Sequence, residues 1–215
     1  MDETPGFLIK ICGVTSAEQA AAVAAAGASA IGVNLWPGSR RFVGGLGAAR
    51  QVLAAVPAGV LKVGVFVNAS AAEVAQASGD LGLDRVQLHG DESPGAYSSL
   101  ARGALIRAVR VRDQTSFADD AGWRAGLRLY DAFVDGFGGG GATAPWSLIV
   151  RCATRPFLLA GGLTPDNVAD AIACVRPDGV DVASGVESAP GRKDLSRVVA
   201  FIGAARAAAA ELTRP

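Results

Sequence analysis

Short apolar runs alternate along this chain with alanine-rich stretches of helical spacing, and this alternation limits the possible folds most strongly. Continuous apolar strands separated by helices are typical of a parallel sheet that helices cover. Eight such strands are predicted, at residues 7–12, 29–35, 61–67, 84–88, 104–110, 127–134, 156–160 and 179–183.

Helix-start signals follow several of these strands. Ser16 is a predicted N-cap with Gln19 three residues later, and Gly27 is expected to end that helix. The same pattern recurs at 70–80. Further helices are predicted over 164–175, with Thr164 before a proline at the first helical position, and over a long closing stretch at 194–212. The segment 146–150 fits either a short helix or part of a loop.

Eight strand–helix units in 215 residues predict a single (β/α)₈ TIM barrel, an α/β fold, over residues 1–215. The alternative is an open, doubly wound parallel sheet, which usually has about five or six strands. The strand count therefore favours the barrel.

Composition argues against several classes of function. The 20 basic and 20 acidic residues give no net charge, so neither nucleic acid nor a membrane surface is expected as a partner. Three widely spaced cysteines, Cys12, Cys152 and Cys174, indicate reduced thiols rather than a disulfide framework. The chain has a single histidine, which argues against a histidine-cluster zinc site. The first ten residues lack a long apolar core, and a cytoplasmic protein is expected.

Glycines follow the last two predicted strands. In such a barrel the active site lies in the loops after the strands, and the loops after strands seven and eight commonly bind phosphate. Glycine lets backbone N–H groups approach an anion closely. Gly161, Gly162, Ser184 and Gly185 are therefore candidate phosphate-binding residues, although glycines can also simply end strands.

A thiol and a carboxyl group stand at two other strand ends. Cys12 ends the first strand, and Lys10 lies two residues earlier on the same face, where its charge is expected to lower the pKa of the thiol. Asp131 lies in an apolar strand, where a carboxylate needs partners or a chemical task. The glycines at 138–141 suggest a flap over a site. The alternatives are a buried structural cysteine, a structural carboxylate and a solvent loop.

Other strand ends supply further candidates. Arg40 and Arg41 form a basic loop suited to a carboxylate, or a solvated arginine pair. Gln87 and His89 follow the fourth strand, and Asp181 lies in the eighth. A lone histidine is more often a packed or surface residue than a catalyst.

Taken in order, these motifs resemble the phosphoribosylanthranilate isomerase family over nearly the whole chain. The matching stretches are KICGVT at 10–15, WPGSRR at 36–41, VGVFVN at 63–68, VQLHGDE at 86–92, the aspartate followed by the glycine flap at 131–141, AGGLTPDNV at 160–168 and VDVASGVESAPGRKD at 180–194.

The resemblance implies a (β/α)₈ barrel that acts as an aldose–ketose isomerase in tryptophan biosynthesis. Its reaction is an Amadori rearrangement that needs no metal or organic cofactor, and its partner is a small phosphosugar substrate. The resemblance also implies a monomer or homodimer. By resemblance, Cys12 is the general base and Asp131 the general acid. It further implies that Arg41 holds the anthranilate carboxylate, that Gln87, His89 and Asp181 line the site, and that Gly161, Gly162, Ser184 and Gly185 hold the phosphate.

The chain departs from the family pattern at several positions. A lysine, an aromatic residue and an acid are usual where it has Ala142, Ala144 and Pro145, so the changes are expected to affect flap dynamics and substrate binding. Asn34 replaces a large apolar residue, and Ala160 and Ala183 stand where serine is frequent.

Two other functions remain open on the sequence. One is a histidine-pathway or dual-substrate phosphosugar isomerase, although those enzymes end strand one with aspartate where this chain has Cys12. The other is a catalytically silent barrel that only binds a phosphate ligand.

Overall fold

The structure, a computed structural model, describes residues 6–120, 122–132 and 145–212. Eight parallel strands close into a barrel in chain order, and the first strand pairs with the eighth. The predicted TIM barrel is confirmed. The strands are β1 Leu8–Cys12, β2 Ala30–Asn34, β3 Leu61–Phe66, β4 Arg85–Leu88, β5 Leu105–Val111, β6 Leu127–Ala132, β7 Phe157–Leu159 and β8 Gly179–Val182.

Side-chain alternation along the strands separates the barrel interior from the layer beneath the helices. Apolar residues fill the interior below the mouth, among them Ala30, Val63, Ile106 and Leu129. Inward-facing residues recur at every second position of a strand. The last inward-facing residue of each strand therefore lies at its carboxyl end. These ends form the mouth at which a site is expected.

In the described ranges six α-helices cover the outside, and the starts of two of them follow the predicted side-chain caps. Ser16 accepts a hydrogen bond from the backbone N–H of Gln19, and Ser70 forms a capping box with Glu73. The helices are α1 Ala17–Ala25, α2 Leu46–Ala54, α3 Ala71–Leu81, α4 Trp146–Cys152, α5 Val168–Val175 and α6 Leu195–Leu212.

The prediction for α5 was wrong at its start, which lies at Val168 rather than next to Thr164. The Asn167 side chain accepts from the backbone N–H of Thr164 at 2.8 Å and donates to the Gly162 carbonyl at 2.9 Å. A braced turn therefore precedes the helix. The segment at 146–150 is helical, since it lies within α4.

Short 3₁₀ turns, rather than α-helices, follow β4 and β5, at Pro94–Tyr97, Arg102–Ala104 and Gln114–Asp120. Two buried arginines of the neighbouring strands are paired with carboxylates here. Arg107 bonds Glu92 at 2.8 Å, and Arg128 bonds Asp120 at 3.1 Å. After β8, a 3₁₀ turn at Ser184–Val186 leads into an antiparallel hairpin of β9 Glu187–Ala189 and β10 Arg192–Lys193.

Within the described ranges, no helix combines the length and apolar character needed to cross a membrane.

Candidate active site

The thiol of Cys12 lies at the mouth end of β1, inside the barrel and 9% exposed. Lys10 shares its inward face and is fully buried, with its Nζ 2.8 Å from Asp181 Oδ1 on the adjacent β8. Gly32 of β2 makes room for both groups. A Cβ at that position would lie 2.9 Å from Cys12 Sγ and 3.1 Å from Lys10 Nζ. The lysine therefore stands between a carboxylate and the thiol.

Two opposite effects, burial and nearby charge, act on the ionisation of Cys12 and Lys10. Burial raises the pKa of Cys12 above its ordinary value, and the nearby positive charge of Lys10 offsets only part of that increase. For Lys10 burial acts to lower the pKa, but the charges of Asp181 and Cys12 outweigh it and the pKa is raised. Lys10 therefore stays charged and acts to lower the thiol pKa, as predicted, but burial has the larger effect and the net pKa is raised.

Arg41, from the loop after β2, lies across the turn that follows Cys12. A Cβ at Gly13 would lie only 2.5 Å from Arg41 Cδ, so the glycine allows this close approach. The guanidinium binds Glu187 through Nε, at 2.9 and 3.1 Å, and through Nη2, at 2.7 Å. Arg40 is exposed. Of the two arginines in the basic loop, only Arg41 is buried beside the thiol.

Glu187 and Lys193 were not among the site residues predicted from the sequence. Lys193 Nζ donates to Glu187 Oε1 at 2.7 Å and to the Ala183 carbonyl at 3.1 Å. The hairpin after β8 folds these two residues back over the mouth. A signal was present in the sequence, since both charges follow the candidate phosphate loop in VESAPGRKD, but nothing local shows that they meet Arg41.

Asp131 lies on the inward face of β6, three positions around the barrel from β1. His89 Nε2 approaches its Oδ2 at 3.3 Å, an ion-pair distance without hydrogen-bond geometry. Gln87 Nε2 lies 2.9 Å from His89 Nδ1. With the amide nitrogen as donor, Nδ1 is the acceptor and the imidazole proton sits on Nε2, toward Asp131. The three candidates therefore form one chain of contacts.

The glycine loops after β7 and β8 lie beside each other. At Gly161, with φ of 86°, a Cβ would lie 2.9 Å from Asp131 Oδ1, and at Gly185 a Cβ would lie 1.8 Å from the Leu163 carbonyl oxygen. Only glycine fits at either position. The backbone N–H groups of Gly161 and Gly162 donate to no acceptor in the described part of the chain, so they are available to an anion. Ser184 begins the adjoining 3₁₀ turn.

The structure thus brings the candidates to one end of the barrel, in two groups. Cys12, Asp181 and Arg41 lie on the β1, β2 and β8 side, and Asp131, His89 and Gln87 lie on the β4 and β6 side. The proposed flap at 138–141, with Ala142 and Ala144, lies outside the described residues. Pro145 directly precedes α4. Asn34 accepts a hydrogen bond from the backbone N–H of Trp36 at 2.9 Å, which gives it a local structural task.

Comparison with known proteins matches this arrangement to one family. The family model of N-(5'-phosphoribosyl)anthranilate (PRA) isomerase matches residues 9–204. This chain belongs to the phosphoribosylanthranilate isomerase family. A relative of that name from Magnetococcus marinus is 46% identical over 202 residues, which cover 93% of this chain and 95% of the relative. The resemblance inferred from the motifs is confirmed.

Solved structures of phosphoribosylanthranilate isomerases share the fold. The enzyme from Thermotoga maritima superimposes with a TM-score of 0.86 at 35% identity, covering 94% of this chain and 99% of that one. A second structure contains reduced 1-(o-carboxyphenylamino)-1-deoxyribulose 5-phosphate. Its TM-score is 0.83 at 36% identity, with the same coverage of both chains.

Proposed function

We propose that the protein is a phosphoribosylanthranilate isomerase that uses Cys12 as general base and Asp131 as general acid. It converts N-(5-phosphoribosyl)anthranilate into 1-(2-carboxyphenylamino)-1-deoxyribulose 5-phosphate, in tryptophan biosynthesis. One observation carries the assignment of roles. The thiol and the carboxyl group face the same barrel mouth from β1 and β6, and the glycine loops after β7 and β8 lie between those strands.

The first step is ring opening. Asp131 donates a proton to the ribose ring oxygen, the bond from C1′ to that oxygen breaks, and the anthranilate nitrogen supplies the electron pair that forms the C1′ iminium. His89 faces the Asp131 carboxyl and can stabilise its negative charge once the proton has left.

The second step is proton abstraction from carbon. The Cys12 thiolate removes the C2′ proton, and the electron pair moves into the iminium to give a neutral enolamine. Loss of the enol proton and protonation of C1′ then yield the ketone. The cations around Cys12 oppose the effect of burial on its ionisation, since both Lys10 and Lys193 act to lower its pKa.

Binding groups hold the substrate at its two ends. The N–H groups of Gly161 and Gly162, which find no acceptor among the described residues, would hold the phosphate together with Ser184 and Gly185. Arg41 would hold the carboxylate of the anthranilate ring through guanidinium N–H groups that do not donate to Glu187, since charge-assisted hydrogen bonds to a carboxylate are strong. Fixing both ends keeps C2′ in place near the thiol.

A cytoplasmic location is part of the proposal, as expected for a biosynthetic enzyme. A monomer or homodimer is also proposed. A structure of the relative from Thermotoga maritima is described as that of generated monomers of a dimeric enzyme.

Turnover by the purified protein tests the proposal. Consumption of N-(5-phosphoribosyl)anthranilate, followed by fluorescence, is expected with wild type. The aminoaldose substrate of the histidine-pathway isomerase is assayed in parallel. Turnover of that compound alone would reject the assignment, and turnover of neither would favour the silent phosphate-binding barrel.

A further inference from the structure

Glu187 is the centre of a buried charge network beside the thiol. It is 7% exposed and accepts hydrogen bonds from the side chains of Arg41 and Lys193 and from the backbone N–H of Gly191, at 3.2 Å. Burial acts to raise its pKa, but the hydrogen bond from Arg41 and the charge of Lys193 outweigh it and the pKa is lowered. Glu187 is therefore an ionised carboxylate with two cationic partners.

The way in which Glu187 binds Arg41 restricts the guanidinium in a specific direction. Nε and Nη2 both donate to the carboxylate, while Nη1 has no acceptor in the part of the chain that the structure describes. Because the guanidinium is rigid and planar, fixing one edge also fixes the direction of the other. The aliphatic part of the Arg41 side chain packs against Gly13, in the turn after Cys12, where a larger residue would displace it.

Two cations share this one carboxylate, so the group as a whole keeps a positive charge. Arg41 and Lys193 carry two positive charges, and Glu187 supplies one negative charge to balance them. Arg41 can therefore attract a second anion. An isolated buried arginine–glutamate pair would be weak evidence for any role, since such pairs often add little stability. This pair differs from an isolated one in two ways: Glu187 also binds Lys193, and Arg41 Nη1 has no acceptor among the described residues.

We propose that Glu187 is a positioning residue that holds the Nε–Nη2 edge of Arg41 so that Nη1 points at the carboxylate of the substrate's aromatic ring. The role rests on the proposed function, in which Arg41 binds that carboxylate. Loss of Glu187 should therefore weaken recognition of the carboxylate specifically, and not recognition of the phosphate.

Binding of two stable probes tests this role. The first probe is reduced 1-(o-carboxyphenylamino)-1-deoxyribulose 5-phosphate, and the second is the same compound without the carboxylate. For wild type the first probe is expected to bind at least ~10-fold more tightly, the scale of one charge-assisted hydrogen bond. Glu187→Gln is expected to remove most of this preference while it changes the affinity for the second probe less than ~3-fold.

Matched variants separate positioning from general disruption. Asp120→Asn breaks another buried arginine–carboxylate pair, in which Arg128 Nε binds both carboxylate oxygens at 3.1 Å outside the mouth. It should leave the preference between the probes unchanged. Arg41→Gln should lose the preference, and the double variant with Glu187→Gln should lose no more. If Glu187→Gln does not fold, Glu187→Asp keeps the charge and should reduce the preference partially.

Equal weakening of both probes by Glu187→Gln, or additive losses in the double variant, would overturn the role. So would a wild type without preference for the carboxylate. Turnover is measured separately. A wild type that shows the preference and its loss in Glu187→Gln, but no turnover, would support the role of Glu187 and reject the proposed catalytic function.

Discussion

The two sides of the barrel mouth differ in how firmly the protein holds the reacting group. On the β1 side the thiol is buried beside the Lys10–Asp181 pair and the guanidinium of Arg41. On the β6 side Asp131 is half-buried, and His89 Nε2 approaches its carboxylate at 3.3 Å. The contrast fits the two proton transfers. Removal of a proton from carbon needs an accurately placed base, whereas protonation of an oxygen is less demanding.

Replacement of either reacting group should have the largest effect on activity. Cys12→Ser and Asp131→Asn are each expected to lower kcat at least ~100-fold, as for loss of a general base or acid. The measurement is steady-state turnover of N-(5-phosphoribosyl)anthranilate by folded variants. Cys174→Ser, at an exposed cysteine, is the control and should retain wild-type turnover. Near-normal rates for either variant would reject its assigned role.

The free energy of unfolding should show how strongly the β1 side depends on the Lys10–Asp181 ion pair. Lys10→Met leaves the Asp181 carboxylate buried without its partner, and is expected to lower the free energy of unfolding by about 3–5 kcal/mol. Urea denaturation measures this. As a control, Arg155→Gln breaks an exposed pair with Asp178, with side chains 54% and 39% exposed, and should cost less than about 1 kcal/mol. Equal losses would contradict the contrast between the buried and exposed pairs.

The pH dependence of thiol alkylation tests the ionisation of Cys12. A raised pKa means that a smaller fraction is thiolate at neutral pH, so the rate should rise only at more alkaline pH than for an ordinary thiol. Iodoacetamide labelling, read by peptide mass mapping, follows each cysteine separately. Exposed Cys174 is the internal reference. A midpoint for Cys12 below that of Cys174 would show that the nearby cations outweigh burial.

The smallest effect on activity is expected at His89, on the β6 side. His89→Asn removes the imidazole from Asp131 but leaves the carboxyl group in place, so kcat should fall no more than ~10-fold, the scale of one hydrogen bond. Steady-state turnover is again the measurement. A loss as large as that of Asp131→Asn would indicate that His89 itself delivers the proton.

The barrel could be predicted from the sequence because its signals are local. Apolar runs and side-chain caps such as those of Ser16 and Ser70 act within a few residues. The 3₁₀ turns after β4 and β5 could not, because the buried pairs Arg107–Glu92 and Arg128–Asp120 that accompany them join residues on different elements.

The charge network of the site was less accessible to sequence reasoning. Lys10 and Asp181 are 171 positions apart in the chain, and Arg41 and Glu187 are 146 apart, so neither pairing leaves a local pattern. The net effect on the Cys12 pKa depends on burial, which the fold as a whole determines. The strand-end rule nevertheless predicted which residues would lie at the mouth.

A crystal structure with reduced 1-(o-carboxyphenylamino)-1-deoxyribulose 5-phosphate tests the central claim most directly. The account predicts that Cys12 Sγ and the Asp131 carboxyl group both lie within roughly 3.5 Å of the sugar-derived chain, at C2′ and at the former ring oxygen respectively. The phosphate should bind at Gly161 and Gly162. A ligand whose sugar carbons contact neither group, or whose phosphate binds elsewhere, would contradict it.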